Sequence, residues 1–255
     1  MYPLTHIYFA EKMLGFLDDA VVLGSIFPDV AILSGIEWSE SHTLGLSIWE
    51  KFRGKREELV HFSMGVITHG IKPKGLDYYS DEKYRDFEKG YCFEKARPLV
   101  DAVVEVCNIS PDDGWWKSHN FVEMGIELYL YEKQPELLVF LKKALSNNNL
   151  ITILIDDLSP VLKKDRTKLE NVFLTFRKFI EEEPLDAQAL ALRYQKQIYF
   201  RHNIDSIDLE KSRNIINRSK ELIGVDIEEF FNEVKEQVSP IIKKMLLGDN
   251  AEEIP

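Results

Sequence analysis

Histidine and carboxylate spacing is where this chain shows chemistry. Five of its six histidines (His6, His42, His61, His69 and His119) fall within the first 123 residues. In HNFVEMGIE, His119 and Glu123 are four residues apart. On a helix that spacing leaves two side chains about 40° apart in rotation and about 6 Å apart in rise. An imidazole and a carboxylate aimed the same way are two ligands for one ion. The stretch HFSMGVITHGIKPKGLDYYSD, from His61 to Asp81, is apolar and rich in small residues, and it carries His69 into a Pro/Gly turn that delivers Asp77. Asp29 follows Pro28 at an expected helix end, where a carboxylate projects back into a bundle. Together His6, Asp29, His42, His69, Asp77, His119 and Glu123 offer mixed nitrogen and oxygen ligands, enough for two ions. Zn²⁺ accepts such a set, and so do Fe²⁺ and Mn²⁺.

Each residue alone has a plainer role. A histidine on an apolar helix face is commonly a core residue bonded to a carbonyl, and His61 is read that way. It lies about 12 Å up the helix from His69, too far to share an ion. Charged pairs four apart decorate many solvated helices, and an aspartate after proline is often only a cap. Trp115-Trp116 reads as core packing. The joint occurrence carries the argument, since five separate segments each present a ligand beside small or apolar neighbours. Whether Asp81 or Glu127 also joins the site stays open; Glu127, four residues beyond Glu123, suits a supporting role behind the ligands.

The elements that must position these residues read as helices almost throughout, so the fold class is all-α, a multi-helix bundle. Thr5 is placed as the cap of a first helix bearing His6, and a second helix from Ala20 is expected to stop at Phe27-Pro28-Asp29. Ser41 is placed as the cap of a helix bearing His42, Leu46 and Trp49. Glu57 to Gly70 forms a core helix. Residues 81–106 suggest a long helix or a pair broken near Arg97-Pro98. Asp112 to Gly114 read as a turn into a helix over 115–131. Further helices are expected around 151–158, 166–182, 186–202, 207–222 and 226–246, split at Pro160, Pro184 and Gly224. Asn147 to Asn149 mark the expected boundary between a metal-binding core (1–146) and a C-terminal helical region (147–255) packed on it. The tail from Gly248 is expected to fray.

Composition narrows the partners. The chain has 255 residues and a formal net charge of −11, which opposes non-specific binding to nucleic acid or anionic membranes. No apolar run approaches the length of a spanning helix, and no signal peptide is expected in MYPLTHIYFAEKML. Cys92 and Cys107 lie outside any C-x-x-C pair and read as reduced core thiols of a cytoplasmic protein.

In this order the segments THIYFAEKML, LGSIFPDV, SHTLGLSIW, FSMGVITH and HNFVE resemble the helical zinc-dependent phospholipase C family, with its uncharacterised intracellular relatives, over residues 5–127. The resemblance implies a single α-helical bundle and phosphodiester hydrolysis at a zinc cluster. It also implies His6, Asp29, His42, His69, His119 and Glu123 as metal ligands. The chain departs from the family where an aspartate four residues past the histidine at His69 is replaced by Pro73, leaving Asp77 or Asp81 to substitute. The tryptophan that ligates through the mature N-terminus of the secreted members has no counterpart at Met1-Tyr2. A third metal and a phospholipid substrate are therefore not expected.

The leading expectation is thus a cytoplasmic metallohydrolase acting on a small phosphoester. Two ions would clamp phosphoryl oxygens and acidify a water, and Asp29 would serve as general base. The rival is a non-catalytic helical protein with a structural or vestigial metal site. Its charged C-terminal half (Glu181 to Glu183, Asp226 to Glu229) would bind a protein partner, or simply present solvated helix faces. An HD-type phosphohydrolase is disfavoured, because no His-Asp dipeptide occurs.

Overall fold

The computed structural model describes residues 2–180, 185–202, 204 and 206–247. The acidic run Glu181 to Glu183, Pro184 and the tail from Gly248 lie outside the described residues. The chain is 79% helical, with fourteen α-helices and no strand among the described residues, so the all-α expectation holds. None of these helices is long and apolar enough to cross a membrane.

Helix α1 (Pro3–Leu14) starts with proline at its first position and ends at Gly15 in the left-handed region, φ 77°, which glycine adopts without strain. Thr5 lies inside this helix rather than capping it. The carboxylate of Glu127 does the capping instead, accepting from the backbone N–H of Leu4 (3.0 Å) and Thr5 (3.1 Å) and from the Thr5 hydroxyl (3.2 Å). Residues 122 to 123 positions apart in sequence therefore satisfy the helix's orphan donors.

Helix α2 (Asp19–Ile32) is capped by Asp18, which accepts from Val21 N at 2.8 Å. It does not stop at Pro28 but runs through it. An internal proline costs about 3 kcal/mol. Val21, Val22, Leu23, Ile26, Phe27 and Val30 are all fully buried on this helix, and each is worth about 1.5–3 kcal/mol, so packing wins. Asp29 consequently sits within a helix and not at its end.

The next helices are α3 (Trp38–Ser41), α4 (Gly45–Phe52) and α5 (Glu57–His69). His42 occupies the C-cap of α3. Ser41 does not cap the following helix, because its hydroxyl donates back to the Trp38 carbonyl at 2.9 Å. Helices α2 and α5 cross at a pair of glycines. A Cβ on Gly24 would stand 2.0 Å from the Phe62 carbonyl oxygen, and one on Gly65 would stand 2.5 Å from that of Val21. Only hydrogen at both positions permits the approach.

After α5 the chain makes a π-helical turn, Tyr78–Glu82, and residues 83–90 are not helical, unlike the long helix expected there. Helices α6 (Tyr91–Ala96) and α7 (Val100–Cys107) flank a 3₁₀ turn at Arg97–Leu99, close to the expected break. Helix α8 (Pro111–Lys133) begins earlier than expected. Ser110 accepts from Asp113 N as its cap, so Asp112 to Gly114 form its first turn.

Helices α9 (Glu136–Ser146) and α10 (Asn148–Leu162) meet at Asn147, and α10 continues past Pro160 instead of splitting there. The chain closes with α11 (Arg166–Ile180), α12 (Ala187–His202), α13 (Leu209–Ile223) and α14 (Ile227–Leu247). Buried residues from Tyr2 to Met245 form one hydrophobic cluster that draws on both halves. The acidic start of α14 is tied to other helices: Tyr8 donates to Glu228 at 2.9 Å, Tyr91 to Asp226 at 2.8 Å and Lys133 to Glu228 at 2.7 Å.

Candidate metal centre

Seven sequence-selected residues converge from six segments. Helix α1 supplies His6, α2 Asp29, the end of α3 His42, the end of α5 His69, the following turn Asp77, and α8 His119 and Glu123. With Asp81 they form three groups, the ligand atoms within each lying within 4.8 Å of one another: His6, Asp29 and His69; His42, His69 and Asp77; and Asp81, His119 and Glu123. The first two share His69, so the centre has a histidine-rich part and a carboxylate-rich part.

The histidine-rich part is the tighter. His42 Nε2 lies 3.2 Å from His69 Nε2, and Asp77 Oδ2 lies 3.1 Å from the former and 3.2 Å from the latter. Two ligands about 2.05 Å from a tetrahedral ion stand about 3.3 Å apart, so these three atoms span one face of such a polyhedron. The backbone sets the tautomers. His69 Nδ1 donates to the Ser25 carbonyl at 2.5 Å, and His42 Nδ1 donates to the Trp38 carbonyl at 2.9 Å. Both Nε2 atoms then face Asp77 Oδ2, the ring orientation in which two imidazoles and a carboxylate can share one cation. The glycine crossing makes the first of these bonds possible, since it brings Ser25 of α2 against α5.

His6 extends the group. Its ring stacks on His69 with centroids 3.5 Å apart and planes 8° apart. Neither ring nitrogen has a hydrogen-bond partner, although the residue is 1% exposed. A buried polar atom left unpaired is costly, and here the unpaired nitrogen faces carboxylates: Nε2 is 3.5 Å from Asp77 Oδ1 and 3.9 Å from Asp29 Oδ2. Asp77 thus turns one oxygen to His6 and the other to His42 and His69. Asp29 does likewise, with Oδ1 3.7 Å from His42 Nε2, and about a quarter of its side chain is exposed.

The carboxylate-rich part adds Asp81, which spacing alone left undecided. The π-helical turn presents it to α8, and Gly90 holds it there. The Gly90 N–H donates to the Asp81 carbonyl at 3.2 Å, and a Cβ on Gly90 would lie 2.2 Å from Asp81 N. Widened turns of this kind recur at functional sites.

The electrostatics favour a positive ion. Burial lowers His6 well below the ordinary imidazole range, and burial takes His119 down to about 4, so both rings are neutral ligands at neutral pH. Burial, then the neighbouring Glu123 and Asp77, pushes Asp81 up to about 7. Burial, followed by Asp77 and Asp29, raises Glu123 as well. Asp77 is also opposed by burial, but the surrounding groups, His6 and His69 among them, keep its carboxyl well below the usual range. Buried His and carboxylate groups of this centre can therefore hold a metal ion.

Two residues weighed from sequence stay outside. His61 is not bonded to a carbonyl; its Nδ1 lies 2.6 Å from Asp18 Oδ2, remote from the centre. Glu127 contacts no ligand and instead holds the start of α1, hence the height of His6. Cys92, which forms no disulfide, is buried, and burial followed by the charges of Glu123 and Asp81 raises its thiol pKa.

Compared with models of protein families, with curated proteins and with solved structures, the chain finds no match in any of the three.

Proposed function

We propose that this protein is a metal-dependent hydrolase of small phosphoesters, with two divalent ions, zinc in the first instance. The observation that carries the reading is the convergence of His42 Nε2, His69 Nε2 and Asp77 Oδ2 to within 3.2 Å of one another, beside a second set of two carboxylates and a histidine. Charge supports two ions. Asp29, Asp77, Asp81 and Glu123 supply four negative charges when ionised, and two divalent ions balance them; burying such charge without compensation is prohibitive.

Bound ions of this type supply Lewis acidity and lower the pKa of water toward neutrality. The protein's own part is positional. His42, His69 and Asp77 hold one position through rings pinned by backbone carbonyls; Asp81, His119 and Glu123 hold the other. Asp29, partly exposed at the edge of the histidine-rich part, is suited to accept a proton from an incoming nucleophile. The resemblance of residues 5–127 to zinc-dependent phospholipases C supplies the reaction class, and the net charge of −11 favours small substrates over nucleic acid.

The exposure of Asp29 and the half-buried position of His119 favour this reading over a purely structural ion, since structural sites are closed and catalytic ones keep an open position. The acidic run Asp226 to Glu229, which a partner-binding role would need, is in part already paired with other helices of the chain through Asp226 and Glu228. The test is metal content by elemental mass spectrometry on protein purified without added metal, for wild type and His119→Ala. About two equivalents, falling to about one in the variant, with hydrolysis of a phosphodiester by the wild type, is the expected result. Less than about a tenth of an equivalent in both, with unchanged folding, overturns the reading.

A further inference from the structure

Beside the carboxylate-rich part lies a cleft of about 490 Å³ lined by Ile109, Asp113, Trp116, Lys117, His119 and Ile204. Its volume lies within the range of small-molecule sites, roughly 300–1,000 Å³. One of its walls is His119, so a ligand in the cleft lies against one of the residues of the carboxylate-rich part. Trp116, read from sequence as core packing, is instead 52% exposed. About half of the indole surface is thus open to solvent beside the cleft.

The surroundings of that indole are ordered. Lys89 Nζ lies 5.3 Å from the Trp116 ring centre and 5.9 Å from that of Phe93. Phe93 in turn stacks on His119, with centroids 4.2 Å apart and planes 18° apart, and meets Trp116 edge-on at 5.5 Å. The imidazole and the indole thus both pack on one buried phenyl ring. The lining carries one positive and one negative side chain, Lys117 and Asp113, so the cleft has no net charge with which to attract a polyphosphate. Its apolar walls, Ile109 and Ile204, stand with the flat face of Trp116.

Building on the hydrolase reading, we propose that this cleft is the subsite for the organic part of the substrate. The substrate class is then a phosphoester carrying a flat aromatic or heteroaromatic group. The phosphoryl group faces Asp81, His119 and Glu123, and the ring stacks on Trp116, an offset arrangement that aromatic pairs favour.

Phenylphosphonate and methylphosphonate separate the ring from the phosphoryl group, since they share the phosphonate and differ only in the ring. Their dissociation constants would be measured on metal-loaded full-length protein by calorimetry and tryptophan fluorescence, for wild type, Trp116→Ala and Trp116→Phe. The expected result is at least tenfold tighter binding of phenylphosphonate, with the advantage lost in Trp116→Ala and largely restored in Trp116→Phe. Circular dichroism and metal content of each variant exclude misfolding as the cause of the loss. A ratio near one in the wild type, or a ratio that Trp116→Ala leaves unchanged, overturns the subsite. Failure of the parent reading looks different. Phenylphosphonate binding that depends on Trp116, with no ester hydrolysed, keeps the cleft and removes the hydrolase; hydrolysis without any preference for the ring does the reverse.

Discussion

The two parts of the centre are built by different means. The histidine-rich part is anchored by main chain: its imidazoles are held by the carbonyls of Ser25 and Trp38, and His42, His69 and Asp77 are no more than 1% exposed. The carboxylate-rich part rests on a π-helical turn and one face of α8, and His119 reaches a cleft. Backbone anchors hold ring geometry without relying on mobile side chains, and nitrogen ligands suit borderline ions better than hard ones. Two carboxylates and one histidine suit harder ions, and nearness to solvent speeds exchange. The comparison therefore implies unequal metal positions, one tight and selective and the other looser.

The largest expected effect comes from the glycine crossing. Gly24→Ala places a methyl 2.0 Å from the Phe62 carbonyl oxygen. Separating α2 from α5 should cost about 3 kcal/mol or more of stability and empty the histidine-rich part, read as a lowered melting temperature and loss of most bound metal.

Next, His69→Ala removes the ligand shared by two groups. Metal content should fall to about one equivalent or less, with phosphodiesterase activity down by about a hundredfold or more. If His69→Ala and His119→Ala instead each lose both equivalents together, the two parts act as one unit and the comparison fails.

A third effect needs no mutation. Graded dialysis against a weak chelator should release one equivalent well before the other, and Mn²⁺ should refill the released position more readily than the retained one. Electron paramagnetic resonance of the refilled protein checks this, and Asp81→Asn should abolish the fast-exchanging equivalent.

The smallest effect sharpens the role of Glu127. Burial raises its carboxyl from 4.5 to about 7, against the hydrogen bonds from Leu4 and Thr5. The folded state thus binds this proton more tightly than the unfolded chain does. Its contribution to stability is fully present below about 4.5 and is lost as pH rises through about 7. Glu127→Gln should remove that slope, at most about 1.4 kcal/mol per pH unit, while leaving metal content intact. Urea titrations of metal-loaded protein between pH 5 and 8 measure it.

Much of this was legible in the amino-acid order because helices have a fixed period. His119 with Glu123, the apolar run into His69 and the overall all-α class all follow from spacing along single helices. Where proline or threonine was used to mark a helix end, local rules misled: Pro28 and Pro160 lie inside helices, and the expected Thr5 cap is a carboxylate from α8. Local preference amounts to a few kcal/mol, and burial of several large side chains exceeds it.

The residue types and their order thus determined which groups were able to ligate and that helices would carry them. Tertiary structure alone decided that Asp77 and Asp81 are both used, in separate groups, and that Trp116 faces a cleft. It also decided that Ser25, unremarkable in sequence, fixes the tautomer of His69. The physical reason is that ligation and tautomer choice depend on distances of about 3 Å between atoms from different helices. Those distances are set by how closely α2 and α5 cross, a property of two glycines and of the packing around them.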